Sequence, residues 1–329
     1  MTTQTIRRIL VAIKDPQAPA PATVAKAAAL AHALKAELVL FHDIDLPIYT
    51  AAYVSDEQQL GDTEDSVRTR YLHALEEHAG SLRASGLAVS VMADWDFPAY
   101  EAILRAALRC HADLVVAEHH RGASSALWAL HPDDWELLRL SLVPVLLVKD
   151  PQPYRQPVIL AAVDPMHAHA KPAELDQDIL RLAESVSHAL GGTWHAVHAH
   201  HPAAVSFPGS SAASDAASSS HAGVRSEARA AMDGMLDSIS SAPASIQLID
   251  RPPAEAIVES ASSLHVSIIV MGVVSRSGLK GLLIGNTAEQ VLDRVSCDLL
   301  IVKPQNFRIR FSQDRRGPNL QATALALPL

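Results

Sequence analysis

Between Ile268 and Val302 the chain carries small and hydroxyl residues where a backbone could meet an anion. An apolar run from Ile268 to Met271 ends at Gly272. Ser275, Ser277, Gly278 and Gly281 follow, Gly285-Asn286-Thr287 opens a helical pattern, and Leu299 to Val302 closes the segment with a second apolar run. This order reads as strand, glycine-rich loop, helix, strand. Small residues at the carboxyl end of a parallel strand let a ligand approach the backbone, and the free N–H groups of a helix N-terminus attract negative charge. The chemistry on offer is capture of a phosphate or another anion. Asn and Thr are also ordinary helix caps, so these residues equally suit a purely structural turn.

Other reactive residues point less far. Of the 17 histidines, His198, His200 and His201 follow one expected strand, and His167 and His169 follow another. Both loops face one sheet edge, so a metal cluster is geometrically available, but no cysteine joins them and Asp164 is the single spaced carboxylate nearby. Hydrogen-bonding or solvated roles are favoured, for His119 and His120 as well. Catalysis finds no nucleophile elbow, no P-loop of the GK[ST] type and no motif-placed carboxylate pair. The expectation is a protein that binds rather than one that transforms.

The elements that must position these residues occur twice. Arg8-Ile9-Leu10-Val11-Ala12-Ile13-Lys14-Asp15-Pro16 answers Pro157-Val158-Ile159-Leu160-Ala161-Ala162-Val163-Asp164-Pro165. His111 to Val116 answers His265 to Val270, and Pro144 to Lys149 answers Asp298 to Lys303. Two copies of one domain are expected, at residues 6–150 and 158–304, joined by a proline-rich linker at 151–157 and followed by a tail at 305–329. In each copy buried strands alternate with amphipathic helices, as with Leu175, Ile179, Leu182, Val186 and Leu190 at helical spacing. This predicts an α/β fold, each domain a mainly parallel five-stranded sheet flanked by helices. Ala203 to Gly223 is rich in serine and alanine and reads as a surface loop. Trp128 and Trp135 flank the first copy's loop and are expected to fill space there, with Leu137, Leu138 and Leu142 forming a packed face behind them.

Composition narrows the partners. The chain has 329 residues, a formal net charge of −9 and 4% aromatics. That balance argues against nucleic acid, whose binders carry basic faces and stacking platforms. The four arginines between Arg308 and Arg316 read as a solvated tail. The N-terminus has no apolar signal core and no run is long enough to span a bilayer, so a cytoplasmic protein without membrane association is expected. Cys110 and Cys297 each end an expected helix just before a buried strand, one in each copy, and no disulfide is expected.

Tandem copies that each open with strand-Asp-Pro resemble the universal stress protein family. Gly272, two residues, Ser275, nine residues, then Gly285-Asn286-Thr287 reproduces the spacing of that family's nucleotide-binding signature. The run from Gly285 to Pro304 is similar to the tandem, E-type members. The resemblance implies adenine-nucleotide-hydrolase-like domains and a ligand-sensing or regulatory role in the stress response, without an enzymatic step. It implies a second-copy pocket of Asp164, Val197, Gly272, Ser275, Ser277, Gly285, Asn286 and Thr287, with ATP or another anionic small molecule as occupant and no required cofactor. Ser275 replaces a glycine of that signature, and Asn286 replaces a serine. Glu118, Arg121 and Asp133 stand opposite Gly272, Ser275 and Thr287, so the first copy is expected not to bind nucleotide in that way. A slow nucleotide hydrolase or phosphotransfer protein, and a ligand-free interaction scaffold, are the alternatives. The partner expected is a regulatory protein, with a homodimer or an intrachain pseudo-dimer formed through the last strands.

Overall fold

The computed structural model describes residues 5–19, 21–45, 57–119, 132–166, 173–199, 213–273, 286–304, 307 and 312–314. The chain divides into two compact units. Described residues up to Pro153 form the first, with Ser312–Asp314 added, and residues from Tyr154 to Phe307 form the second.

In the first unit, β1 (Arg8–Ala12), α1 (Ala22–Leu34), β2 (Glu37–Ile44), α2 (Glu57–Ala84), β3 (Val89–Trp95), α3 (Ala99–Arg109), β4 (Leu114–Glu118), α4 (Pro132–Leu140) and β5 (Val145–Val148) alternate along the chain. The strands lie in the order β3-β2-β1-β4-β5, every pair parallel. The second unit contains β6 (Val158–Ala162), α5 (Ala173–Ala189), β7 (Thr193–Ala199), α6 (Ala213–Leu236), β8 (Ile246–Ile249), α7 (Pro253–Ser263), β9 (Ile268–Gly272), α8 (Asn286–Arg294) and β10 (Asp298–Val302). Its order is the same, β8-β7-β6-β9-β10, again parallel throughout. Both units therefore place their switch point between the first and fourth strands. That crevice, beyond the carboxyl ends, is where ligands of open parallel sheets bind.

Local chemistry explains the helices. α3 and α7 both start after proline, Pro98 and Pro252, and carry Glu101 and Glu255 in their first turns, where a negative charge meets the positive end of the helix dipole. They end alike. His111 and His265 take the left-handed conformation, with φ of 53° and 49°, and the N–H groups of Ala112 and Val266 reach back to the carbonyls of Ala107 and Ala261. Two of the chain's histidines thus serve as helix stops. The central strands are buried on both faces: Ile9, Leu10 and Val11 in one unit and Ile159, Leu160 and Ala161 in the other.

The surface loop expected over Ala203 to Gly223 is corrected in part. Residues 213–223 belong to α6, while 203–212 lie outside the described residues. Alanine is the best helix former, and Ala213 to Gly223 contains no proline and only Asp215 as an acidic or basic residue apart from His221, so a small-residue run can propagate a helix. Leu142 is also corrected: Leu137 and Leu138 are buried, but Leu142 is 38% exposed. Trp135 lies half-buried in α4, and Trp128 is outside the described residues.

Candidate ligand site at the carboxyl edge of the second unit

Three of the expected site residues meet at one edge. Val197 in β7 is buried, and its carbonyl accepts a hydrogen bond from the N–H of Val163, the residue after β6. The N–H of Asp164, next along, donates to Asp176 Oδ1 at 3.2 Å, which ties the strand end to α5. Gly272 ends β9 beside them. Asn286 and Thr287 open α8, the element after β9, with Thr287 half-buried. Ser275, Ser277 and Gly285 lie outside the described residues.

Gly272 has a reason to be glycine that the sequence did not announce. A Cβ there would stand 2.7 Å from Leu175 Cδ2 and 3.1 Å from Ile179 Cδ1. Both partners are fully buried in α5. The missing side chain thus lets α5 close onto β9.

His198, for which the sequence favoured a hydrogen-bonding or solvated role, takes a buried hydrogen-bonding one. Its Nδ1 lies 3.3 Å from the Val163 carbonyl and 3.9 Å from Asp164 Oδ1, and its side chain is buried. His42 does the same in the first unit, its Nδ1 donating to the Ile13 carbonyl at 2.8 Å. The repetition at equivalent sites was the available signal. His167, His169, His200 and His201 lie outside the described residues. Among the described residues no group of three His, Cys, Asp or Glu side chains is placed to hold a metal. Neither cysteine is in a disulfide.

The paired histidines also fix the correspondence between units, and they correct it. Ile9 pairs with Leu38 and Leu114, and Ile159 pairs with Trp194 and Ile268. Ile13 then corresponds to Val163, so Lys14, and not Asp15, stands where Asp164 stands. The shared Asp-Pro dipeptide had put the two chains one residue out of step. Asp15 is occupied with its own turn: its Oδ1 accepts the N–H of Gln17 at 2.9 Å.

With the register corrected, the first unit's edge is inverted in charge. Lys14 takes the place of Asp164, Glu118 that of Gly272, His119 that of Val273, and Asp133 and Asp134 those of Thr287 and Ala288. Partial loss of water lowers the Lys14 pKa, opposed by Asp134, Glu118, Asp133 and Asp43 around it. Asp133 and Asp134 occupy the first turn of α4, where the helix dipole favours negative charge. His119 is buried and its Nδ1 donates to Asp134 Oδ2 at 2.8 Å. The first unit thus supplies its own carboxylates at the position where the second offers a helix N-terminus.

Two tandem parallel α/β units with one strand order define the class of fold, and comparison narrows it. A model of the "Universal stress protein family" matches residues 5–149 and again 158–303. The chain belongs to the universal stress protein family, in its tandem two-domain form. It is similar to "Universal stress protein E" of Salmonella typhi, at 29% identity over 273 residues, covering 80% of this chain and 85% of that protein. "Universal stress protein E" of Escherichia coli K12 is likewise 29% identical over 276 residues, covering 80% of this chain and 84% of that one. Among solved structures, a functionally unknown protein from Pseudomonas aeruginosa PAO1 superposes with a TM-score of 0.72 at 26% identity, covering 92% of this chain and 95% of that one. A universal stress protein from Archaeoglobus fulgidus, at 17% identity and a TM-score of 0.59, shares the fold.

Proposed function

We propose that this is a cytoplasmic stress-response regulator whose second unit binds a nucleotide-like anion and whose first unit does not. The observation that carries this reading is the inverted edge. Carboxylates occupy the first turn of α4 in the first unit, whereas the second unit has Thr287 in the first turn of α8 and Gly272 at the end of β9. Asp164 and the backbone around Val197 suit a base with hydrogen-bond donors and acceptors, and the start of α8 suits its phosphates. ATP is the first ligand to try. Among the described residues no helix is long and apolar enough to cross a membrane. Occupancy would be read by a regulatory protein through the surface around the α8 N-terminus, with no catalytic step required.

Native mass spectrometry of the purified chain, followed by thermal shift with ATP and Mg²⁺, tests this. Ligand at a hundredfold excess over Kd adds about 2.7 kcal/mol to the bound unit. One nucleotide per chain, lost on Asp164→Ala, is the expected result. A chain that carries no ligand and shows no shift with any adenine nucleotide overturns it.

A further inference from the structure

The two units differ in the helix that follows their first strand. Both helices stop at a left-handed residue, Lys35 with φ of 55° and Gly191 with φ of 63°. The next N–H reaches back alike, Ala36 to the Ala31 carbonyl and Gly192 to the Ser187 carbonyl. Counted back from these stops, Ala22 at the start of α1 stands level with Asp178, so residues 173–177 of α5 form a turn that α1 lacks. Asp176 lies in that turn and is fully buried. Burying a carboxylate costs free energy unless it is bonded.

The bond it makes is at the carboxyl edge of the sheet. Asp176 Oδ1 accepts the N–H of Asp164 at 3.2 Å. Val163, the residue before, is held from β7. Its N–H donates to the Val197 carbonyl at 3.1 Å, and its carbonyl lies 3.3 Å from His198 Nδ1. The backbone through Val163 and Asp164 is thus fixed from two elements at once. The first unit repeats only the strand half of this arrangement. Ile13 bonds to the Phe41 carbonyl and to His42, but α1 has no residue level with Asp176.

Asp164 is itself buried, and its Oδ1 stands 3.9 Å from His198 Nδ1, beyond hydrogen-bond reach. An ionised carboxylate only accepts hydrogen bonds, so a ligand group that meets it must donate one. The charge of Asp176, bonded to the same residue's backbone, strengthens that demand and turns a phosphate away from this end. Phosphates are left to the start of α8.

On the reading that the second unit binds a nucleotide, we propose that Asp176 is a positioning residue for that ligand. By holding the Asp164 backbone it fixes the Asp164 carboxylate against an amino group on the base, and so selects aminopurine nucleotides over purines that lack the group. The extra turn of α5 is then part of what separates the binding unit from the other.

Two measurements keep this role apart from nucleotide binding itself. Amide exchange of Asp164, followed by NMR on the ligand-free full chain, needs no nucleotide. Asp176→Ala is expected to speed that exchange by about tenfold or more, while Asp176→Asn, whose amide oxygen still accepts the bond, stays near the parent rate. Calorimetric titration then compares ATP with purine riboside triphosphate, which has no exocyclic amine. The parent chain and Asp176→Asn are expected to prefer ATP by at least about tenfold, and Asp176→Ala to bring the ratio to within about threefold. Asp176→Leu fills the same space without an acceptor and is read in the same way should the alanine variant not fold. A side chain that merely stabilises the unit would weaken both nucleotides alike. An Asp164 exchange rate unchanged in the alanine and leucine variants, or an unchanged preference for ATP, overturns the positioning role. A parent chain that binds neither nucleotide overturns the nucleotide reading, and the selection with it, even where the exchange result stands.

Discussion

Arg105 sits in α3 with its side chain 1% exposed, a position few charged residues tolerate. It is retained because Asp96 takes Nε and Nη2, each at 2.7 Å, while Glu101 takes Nη1 at 2.8 Å. Removing one member of such a buried set strands the others. Arg105→Met is expected to destabilise the first unit by about 3–5 kcal/mol, measured by urea unfolding. Adding Asp96→Asn and Glu101→Gln to it should recover most of the loss. A loss within about 1 kcal/mol for the single variant would contradict this account. Histidine gives a pH signature at the same scale. Burial lowers the pKa of His42, opposed by the Ile13 carbonyl and Asp15, with the Tyr71 ring 4.5 Å away. His195 is lowered too, by burial. Their folded values lie below the unfolded value of about 6.5. The neutral ring is therefore favoured on folding. This contribution is fully present above about pH 6.5 and is lost as pH falls through the lowered folded values. Urea unfolding across that window should show a shallower fall in stability for His42→Gln than for the parent chain.

Elements show how glycine is used for closeness rather than freedom. Gly272→Ala places a methyl against Leu175 and Ile179, which can give way only by shifting α5. A loss of about 1–3 kcal/mol in the second unit is expected, partly relieved by Leu175→Ala in the same chain if the clash is the cause. Gly192 is tighter: a Cβ there would lie 2.0 Å from the Pro157 carbonyl oxygen. Backbone cannot rotate aside as a leucine methyl can, so Gly192→Ala should cost more than Gly272→Ala in parallel unfolding experiments. Neither effect was legible in the chain order, because each glycine's neighbour comes from a different element. Ending a helix is local by contrast: Gly191-Gly192 follows α5 in the chain, and Gly191 adopts a φ of 63° there. α6 was half legible. Its small residues carry little hydrophobic period, and alanine propensity prevailed over a composition that looked like a loop.

Across the whole molecule, duplication allowed one copy to change. If the second unit alone takes an anion, Asp164→Ala should reduce the ATP-induced thermal shift, whereas Lys14→Ala, at the matching place, should leave it unaltered. Equal effects from both would end the asymmetric reading. The two copies, their order of elements and the family all follow from apolar runs, helical spacing and glycine positions, because those patterns are local and appear twice. The match of Asp15 to Asp164 failed for the opposite reason. A buried parallel strand is apolar on both faces, so sliding one residue leaves no visible fault. Hydrogen bonds to neighbouring strands, and two histidines bound to equivalent carbonyls, set the true step and turned an apparent shared aspartate into a lysine. The same holds for Leu142, exposed where a packed face was expected. Local pattern was enough to name the elements and their repetition, since each is encoded within about a dozen neighbouring residues. Register, exposure and charge inversion arise between residues a hundred positions apart, and packing alone brings those together.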